Sequence, residues 1–463
     1  MCRTTFKEVR IRTIATVRKS TWSDSSLRAR AVRPIHCRPR GRASTTTTPF
    51  TTTTTASKGA LSFTRVIGVF LLLTSAAHAQ GHDMSAMQHD AAASPGWHWM
   101  PDASLFAGFN GQERKFRDFH SWESQNWLML DGQRQVGRGL FHVGGMASLE
   151  PFTLHDIGSA QVFQTGETFR GAPLKDYQHP HDLIMGLGAG YSVTRTTFAY
   201  SFNASLVGSP AIGPPAFMHR PSAYGNPEAP LSHHHLDSTH ITPGVLSAGI
   251  SKSGVGLEGS WFHGREPDED RTDIDFGKLD SYALRLSWAR GPWSAQASAA
   301  RLKLPEAITP YDADRLTGSV SYTHPDRRVT AWMFAFGQNR EIHGNFEAYL
   351  FEATIRASRR GLIYTRVESV DKDILDAGFH PRGVFHRHRH SQVEALTAGY
   401  LFDVADTKAG LFSLGADITA YGVPANLRES YGSPASYHVF VHYGLISSRR
   451  SPVMLSPTAH SSP

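Results

Sequence analysis

The sequence predicts an all-β chain: a transmembrane antiparallel β-barrel of about 16 strands, with long extracellular loops and short periplasmic turns. Three observations predict it. Apolar and polar residues alternate with a period of two in segment after segment between residues 103 and 445. The connections between those segments are alternately tight and long. The segments run to ~10–12 residues, against the ~5–6 usual in soluble sheets, and aromatic residues recur on one face. A soluble sandwich or propeller is the rival. It does not account for paired charges where its second apolar face should lie.

The chain begins outside the barrel. Residues 1–57 are rich in Arg, Ser and Thr, with Thr runs at Thr45–Thr48 and Thr51–Thr55, and lack the apolar periodicity of a core. Residues 58–79 read as a secretory signal peptide. Lys58 and Arg65 give the positive flank, Val66 to Thr74 an apolar run too short to span a bilayer, and Ala77-His78-Ala79 an A-x-A cleavage site before Gln80. The expected translation start is near Leu61 or Val66, with 1–57 as upstream sequence; an organellar transit segment is the alternative for that basic stretch. Of 47 Lys and Arg and 40 Asp and Glu, residues 1–79 hold 14 and 2, so the remainder carries 33 and 38, a net charge of −5 rather than +7. The basic pI thus belongs to the leader, and no nucleic-acid partner is implied. Cys2 and Cys37 also precede the cleavage site, so the exported part needs no oxidative folding. It contains no apolar run of ~20 residues that would make a transmembrane helix.

Residues 80–102 form a His- and Met-containing periplasmic segment, and the barrel spans 103–445. The predicted strands are 103–109, 125–135, 139–149, 183–193, 196–206, 239–252, 255–264, 280–290, 292–302, 314–323, 328–338, 346–357, 361–370, 391–403, 409–421 and 435–444. Within 280–290, Tyr282, Leu284, Leu286 and Trp288 share one face, with Ala283, Arg285 and Ser287 on the other. Phe412, Leu414, Ala416 and Ile418 alternate with Ser413, Gly415, Asp417 and Thr419 in the same way. Turn residues at Ser253-Gly254, Arg290-Gly291-Pro292, His324-Pro325-Asp326 and Arg359-Arg360-Gly361 mark the short side. Long connections are expected at 110–124, 150–182, 207–238, 266–278, 303–313, 371–390 and 422–434, with only 339–345 short on that side. A further strand at 159–165 is placed inside a loop. The even count sets both barrel ends on the periplasmic side. The Ser- and Pro-rich tail 446–463 is expected to be disordered.

A barrel this wide holds an aqueous channel. Glu258, Arg285, Arg315, Glu352, Arg356, Arg366 and Glu368 are predicted to line it, with Glu352 and Arg356 close enough on one face to neutralise each other. The loop after the fifth strand, Gly213-Pro214-Pro215-Ala216-Phe217-Met218-His219-Arg220-Pro221 and on to Asn226-Pro227-Glu228-Ala229-Pro230, is stiffened by proline. It is expected to fold into the lumen as a constriction, a plain external loop being the alternative. Histidines gather in loops: His179 and His181; His233, His234 and His235 with Asp237 and His240; and His386, His388 and His390. Imidazole is a common transition-metal ligand, although none of these groups has the spacing of a closed zinc site. In the N-terminal segment His82, Met84, Met87 and His89, with His98 and Met100 following, combine imidazole with soft thioether sulfur.

These features carry the resemblances. Architecture and alternation resemble bacterial outer-membrane β-barrels of porin type, and the segments His179–Asp182 and Gly213–Arg220 are similar to uncharacterised members of that class. In the last strand Tyr437, Val439, Val441 and Tyr443 face outward, which resembles the signal read by the barrel-assembly machinery. The short His/Met tract resembles the N-terminal extension of the copper-resistance outer-membrane proteins of the B type, which implies copper as the bound ion. The sequence holds no G-x-S-x-G, H-E-x-x-H, phosphate-binding loop or dinucleotide fingerprint, and no enzymatic activity is expected. The expected function is an outer-membrane channel for small polar solutes or ions, linked to copper or another metal. The alternatives are a non-conducting metal-sequestering resistance protein with a plugged lumen, and a lipid hydrolase with Ser and His on the lipid-facing side. Expected partners are outer-membrane lipid, the assembly machinery, the solute or metal ion, and further copies of the chain.

Overall fold

The computed structural model describes residues 96–307, 311–325, 329–375 and 390–445. The leader, the tail, His82, Met84, Met87, His89, His386 and His388 lie outside the described residues. The strands are β1 His98–Arg114, β2 Arg117–Glu123, β3 Asn126–Val136, β4 Gly139–Ala147, β5 Ser159–Phe169, β6 Ala172–Gln178, β7 Ile184–Arg195, β8 Phe198–Gly208, β9 Thr242–Lys252 and β10 Val255–Phe262. They continue as β11 Ser281–Arg290, β12 Trp293–Leu302, β13 Ala313–Thr323, β14 Ala331–Glu341, β15 Gly344–Arg356, β16 Gly361–Lys372, β17 Ser391–Thr407, β18 Gly410–Gly422 and β19 Ala435–Gly444.

All but β5 and β6 join one antiparallel sheet. It closes because β1 pairs with β19, from Ser104 opposite Gly444 to Glu113 opposite Ala435. β1 bonds on its other side to β2 along its outer half and to β3 along its inner half. β2 and β3 are thus two pieces of one wall position, interrupted at Ser124 and Gln125, and the barrel is 16 strands around. Every strand of the wall except β2 is bonded to a neighbour on both sides, as a lipid solvent requires, while β2 is bonded to β1 alone. Alternation sets the faces. Tyr282, Leu284, Leu286 and Trp288 stand exposed outside, while Ala283 is buried inside. On the short side Ser253 (φ 49°) and Gly254 (φ 80°) both take positive φ, the twist that a two-residue hairpin needs.

Two expectations are corrected. β1 starts at His98, so His98 and Met100 belong to the barrel wall and not to the periplasmic segment. The connection expected at 110–124 is a hairpin of β1 and β2 that turns at Lys115 and Phe116. Its residues read as a loop because the inward positions are polar: Asn110 and Gln112 are buried by hydrogen bonds, not by apolar packing. The further strand placed inside a loop at 159–165 is found there as β5, which pairs with β6 in a sheet separate from the wall.

The lumen is filled. The connection of residues 209–241, between β8 and β9, folds inward and contributes to each of the five buried apolar clusters among the described residues. Ile212 packs with Val245, Phe262 and Leu302; Met218 and Ile241 with Trp127 and Met185; Tyr224 with Leu362, Leu401 and Phe440. Leu231 packs with Val162, Phe163 and Val370, and Leu236 with Met333 and Leu350. Hairpin β5–β6 adds Phe163, fully buried against Tyr421 and Tyr431 at ring separations of 5.4 and 4.6 Å.

An apolar exterior at strand centre makes a sharp prediction. Replacing Leu396, outward on β17, by Arg should destabilise the barrel by about 2–4 kcal/mol in phospholipid vesicles. Val255→Arg, beside the Ser253–Gly254 turn, should cost only about 0–1 kcal/mol. Denaturant unfolding of the two variants reads the difference.

Candidate functional site

The inward connection 209–241 is held by its backbone. Ala211 N–H donates to Ser260 Oγ (2.8 Å) and Gly213 N–H to Ser298 Oγ (2.9 Å). Leu231 and Ser232 N–H both donate to Glu368, at 3.1 and 3.0 Å. In return, Arg366 donates to the carbonyl of Glu228 and Asn339 to that of His234. A proline-rich segment with only short helical turns can be buried only if the wall supplies partners of this kind.

Its central tie is ionic. Arg220 Nε donates to Glu352 Oε1 on β15 at 2.7 Å, and Arg220 Nη1 to Asp237 Oδ2 at 2.8 Å. All three side chains are 1–3% exposed. Burial disfavours the Arg220 charge, but Glu352 and Asp237 more than offset it and raise its pKa. Burial also works against Asp237, yet Arg220 and His233 hold its carboxyl well below the usual range.

The predicted lumenal residues point inward, and most of them meet the plug and not open water. Glu352 takes Arg220, Glu368 takes Leu231 and Ser232, Arg315 donates to Ser238 Oγ, and Arg366 donates to Glu228. Arg285 pairs with Glu258 at 2.7 Å and reaches the carbonyl of Gly213. Arg356 does not neutralise Glu352: four residues of extended strand, roughly 13 Å, separate them, and Arg356 pairs with Asp403 of β17.

Five of the predicted histidines are brought together. Ring separations run His179–His234 6.2 Å, His234–His233 5.5 Å, His233–His240 5.2 Å and His240–His181 5.3 Å. Each of three rings has its Nδ1 fixed: His181 by Glu150 (2.9 Å), His233 by Asp237 Oδ1 (3.0 Å), and His240 by the Asp237 carbonyl (2.9 Å). The Nε2 atoms of His181 and His240 are buried without a hydrogen-bond partner. Burial lowers His179 and His240 well below the usual histidine range, and lowers His233 to about 4 against the pull of Asp237. His181 moves up, because Glu150 outweighs burial. His235 is buried elsewhere, its carbonyl against Gly337, and His390 stacks on Phe346 at 4.2 Å. Glu150, Glu167, Glu266, Arg271 and Glu306, which lie around these rings, were not legible as site residues. They sit in the long connections between wall strands, where no periodic signal marks them.

Two cavities flank the plug, of about 140 and 170 Å³. The first runs from Ser104 and Gly444 near the periplasmic end to His181 and Glu228. The second lies among Asp131, Glu258, Arg285 and His240. His219 belongs to both walls. Ser104 Oγ lies 3.0 Å from His442 Nε2, but this pair faces the first cavity and not the lipid, where a hydrolase of the expected kind would place it.

The neutral His233 ring makes the plug sensitive to acid. In the unfolded chain it titrates near 6.5, in the plug near 4, so the unfolded state binds more protons between those values. Stability should therefore fall as pH drops from about 6.5 to about 4. Asp182, raised to about 7 by burial against the pull of Arg271, acts in the opposite sense. Comparing the native chain with His233→Asn isolates the ring: the acid-side loss should be smaller in the variant, by up to about 1.4 kcal/mol per pH unit.

No protein-family model matches the chain, and no curated protein sequence matches it. Among solved structures it is similar to an anion-selective porin from Comamonas acidovorans, with 12% identity and a TM-score of 0.45 over 75% of this chain and 100% of that one. It is also similar to the Salmonella typhi OmpF complex with daunomycin, with 10% identity and a TM-score of 0.46 over 75% and 97%. A loop-deletion mutant of OmpT, an outer membrane protein of Vibrio cholerae, shares 10% identity with a TM-score of 0.44 over 75% and 99%. The closed wall, its apolar exterior and its long-and-short connections make the chain a bacterial outer-membrane β-barrel.

Proposed function

We propose that the barrel is an outer-membrane channel of narrow bore for small polar solutes or ions, with the 209–241 plug as its constriction. The observation that carries this reading is the pair of cavities on the two sides of the plug, each with carboxylates in its lining and with His219 common to both walls. Each has room for only a few waters, so a solute of similar size is the natural cargo. Their charge favours cations. Arg220 and Arg285 are engaged by Glu352, Asp237 and Glu258. Asp131, which faces the second cavity, keeps a carboxylate oxygen without a hydrogen-bond partner. Asp102, facing the first, is bonded only by its neighbour's N–H, Ala103, among the hydrogen bonds described. Carboxylates without a cation at a narrow point select for positive solutes.

A second reading is metal handling, with or without conduction. It rests on His181 and His240, whose Nδ1 atoms are fixed while Nε2 points into the packed interior. That arrangement of an oriented ring with a free second nitrogen is the one that metal-bound histidines carry. Copper, zinc or a related ion would be the cargo, and the His82–His89 tract would lie upstream of it.

Planar-bilayer recording should show small conductance steps and a reversal potential in a KCl gradient on the cation-selective side. Asp102→Asn with Asp131→Asn should move that potential toward zero. Absence of steps would contradict the channel; an unmoved potential would contradict the assigned selectivity.

A further inference from the structure

Three separate connections meet at one buried point. His234 comes from the plug, Glu266 from the connection between β10 and β11, and Glu306 from that between β12 and β13. One ligand atom from each lies within 4.8 Å of the others. His234 Nδ1 is 3.2 Å from Glu306 Oε1 and 3.6 Å from Glu266 Oε2. Two ligand atoms bound at about 2.1 Å to a tetrahedral ion lie roughly 3.4 Å apart, so both spacings match ligands of one centre. Glu266 is 8% exposed, and neither of its carboxylate oxygens has a hydrogen-bond partner of ordinary geometry. A buried carboxylate in that condition is costly unless a cation takes it up. The nearby cations give their hydrogen bonds to neutral groups and not to Glu266: Arg315 donates to Asn339 and Ser238, and Lys372 to Gln164 and the Leu231 carbonyl. The other nitrogen of His234 lies against Gly166, where a Cβ would come within 2.3 Å of it, so the ring is fixed from behind. The hydrogen bond from Glu266 N–H to the Pro305 carbonyl (2.8 Å) ties the two acidic connections together.

We propose that His234, Glu266 and Glu306 form a binding site for one divalent borderline metal ion, with Zn²⁺ as its representative, that fastens the plug to two outer connections. One imidazole and two carboxylates suit such an ion; with no sulfur donor, they do not suit Cu(I). Zinc here bridges elements far apart in sequence and so stabilises the plugged state in proportion to its occupancy. The inference narrows the metal reading above to a named ion class and place. It does not depend on whether the lumen conducts.

Zinc titration calorimetry on the purified barrel tests it, with the native chain, Glu266→Gln/Glu306→Gln, and His82→Ala/His89→Ala compared. The site predicts one zinc bound by the native chain, an affinity more than about tenfold weaker in the carboxylate variant, and no such change in the N-terminal variant. Added Cu(I) should not displace this zinc. Unchanged affinity in the carboxylate variant, with loss in the N-terminal one, would overturn the site and leave metal handling standing. A native chain that binds no zinc would overturn both. If the double variant does not fold, His234→Gln replaces it and is read against the same outcomes.

Discussion

Arg220 lies within the barrel with its charge divided between two carboxylates, Glu352 on the wall and Asp237 farther along its own loop. This geometry decides more than its own energy. Glu352 and Asp237 could not both stay ionised at 1% exposure without a cation between them, and Arg220 could not enter without them. Because Asp237 also fixes His233 and, through its carbonyl, His240, the same contact orients the histidine group. Breaking it leaves uncompensated charge on two elements at once.

The reason for such a plug lies in the strand number. A wall of 16 strands is too wide for its own inward side chains to fill. Natural barrels of this size leave water inside or bring another part of the chain in. Here the chain supplies Ile212, Met218, Tyr224, Leu231, Leu236 and Ile241 from one connection, and Val162 and Phe163 from another. The apolar clusters therefore sit between wall and plug, while the outward apolar residues face lipid. Beside the plug the lumen keeps two small cavities, and their titratable groups are where a passing solute would meet charge.

The wall was legible in the sequence because lipid imposes a strict alternation. The last strand is found at 435–444 as expected, and β11 starts one residue later than the 280–290 segment. Legibility failed where burial comes from hydrogen bonds. Asn110, Gln112 and the polar run through Glu123 look like loop and form strands. The proline run 213–230 signalled stiffness, and its inward fold follows that signal. No local pattern, however, places Glu266 and Glu306 beside His234, since the three are 32 and 72 residues apart and meet only through tertiary folding. The histidine groups were visible as composition; which of them share a site depends on Glu150 and Asp237, whose roles exist only in three dimensions.

A lumen closed by a hydrogen-bonded plug differs from an open pore with a loose external loop in one directly measurable property. Hydrogen–deuterium exchange of the native barrel in lipid should show the amides of Ala211, Gly213, Phe217, Leu231 and Ser232 protected on the timescale of strand amides, because each donates to a buried side-chain oxygen. Exchange of those amides at the rate of an unstructured loop, with the strands still protected, would contradict the account.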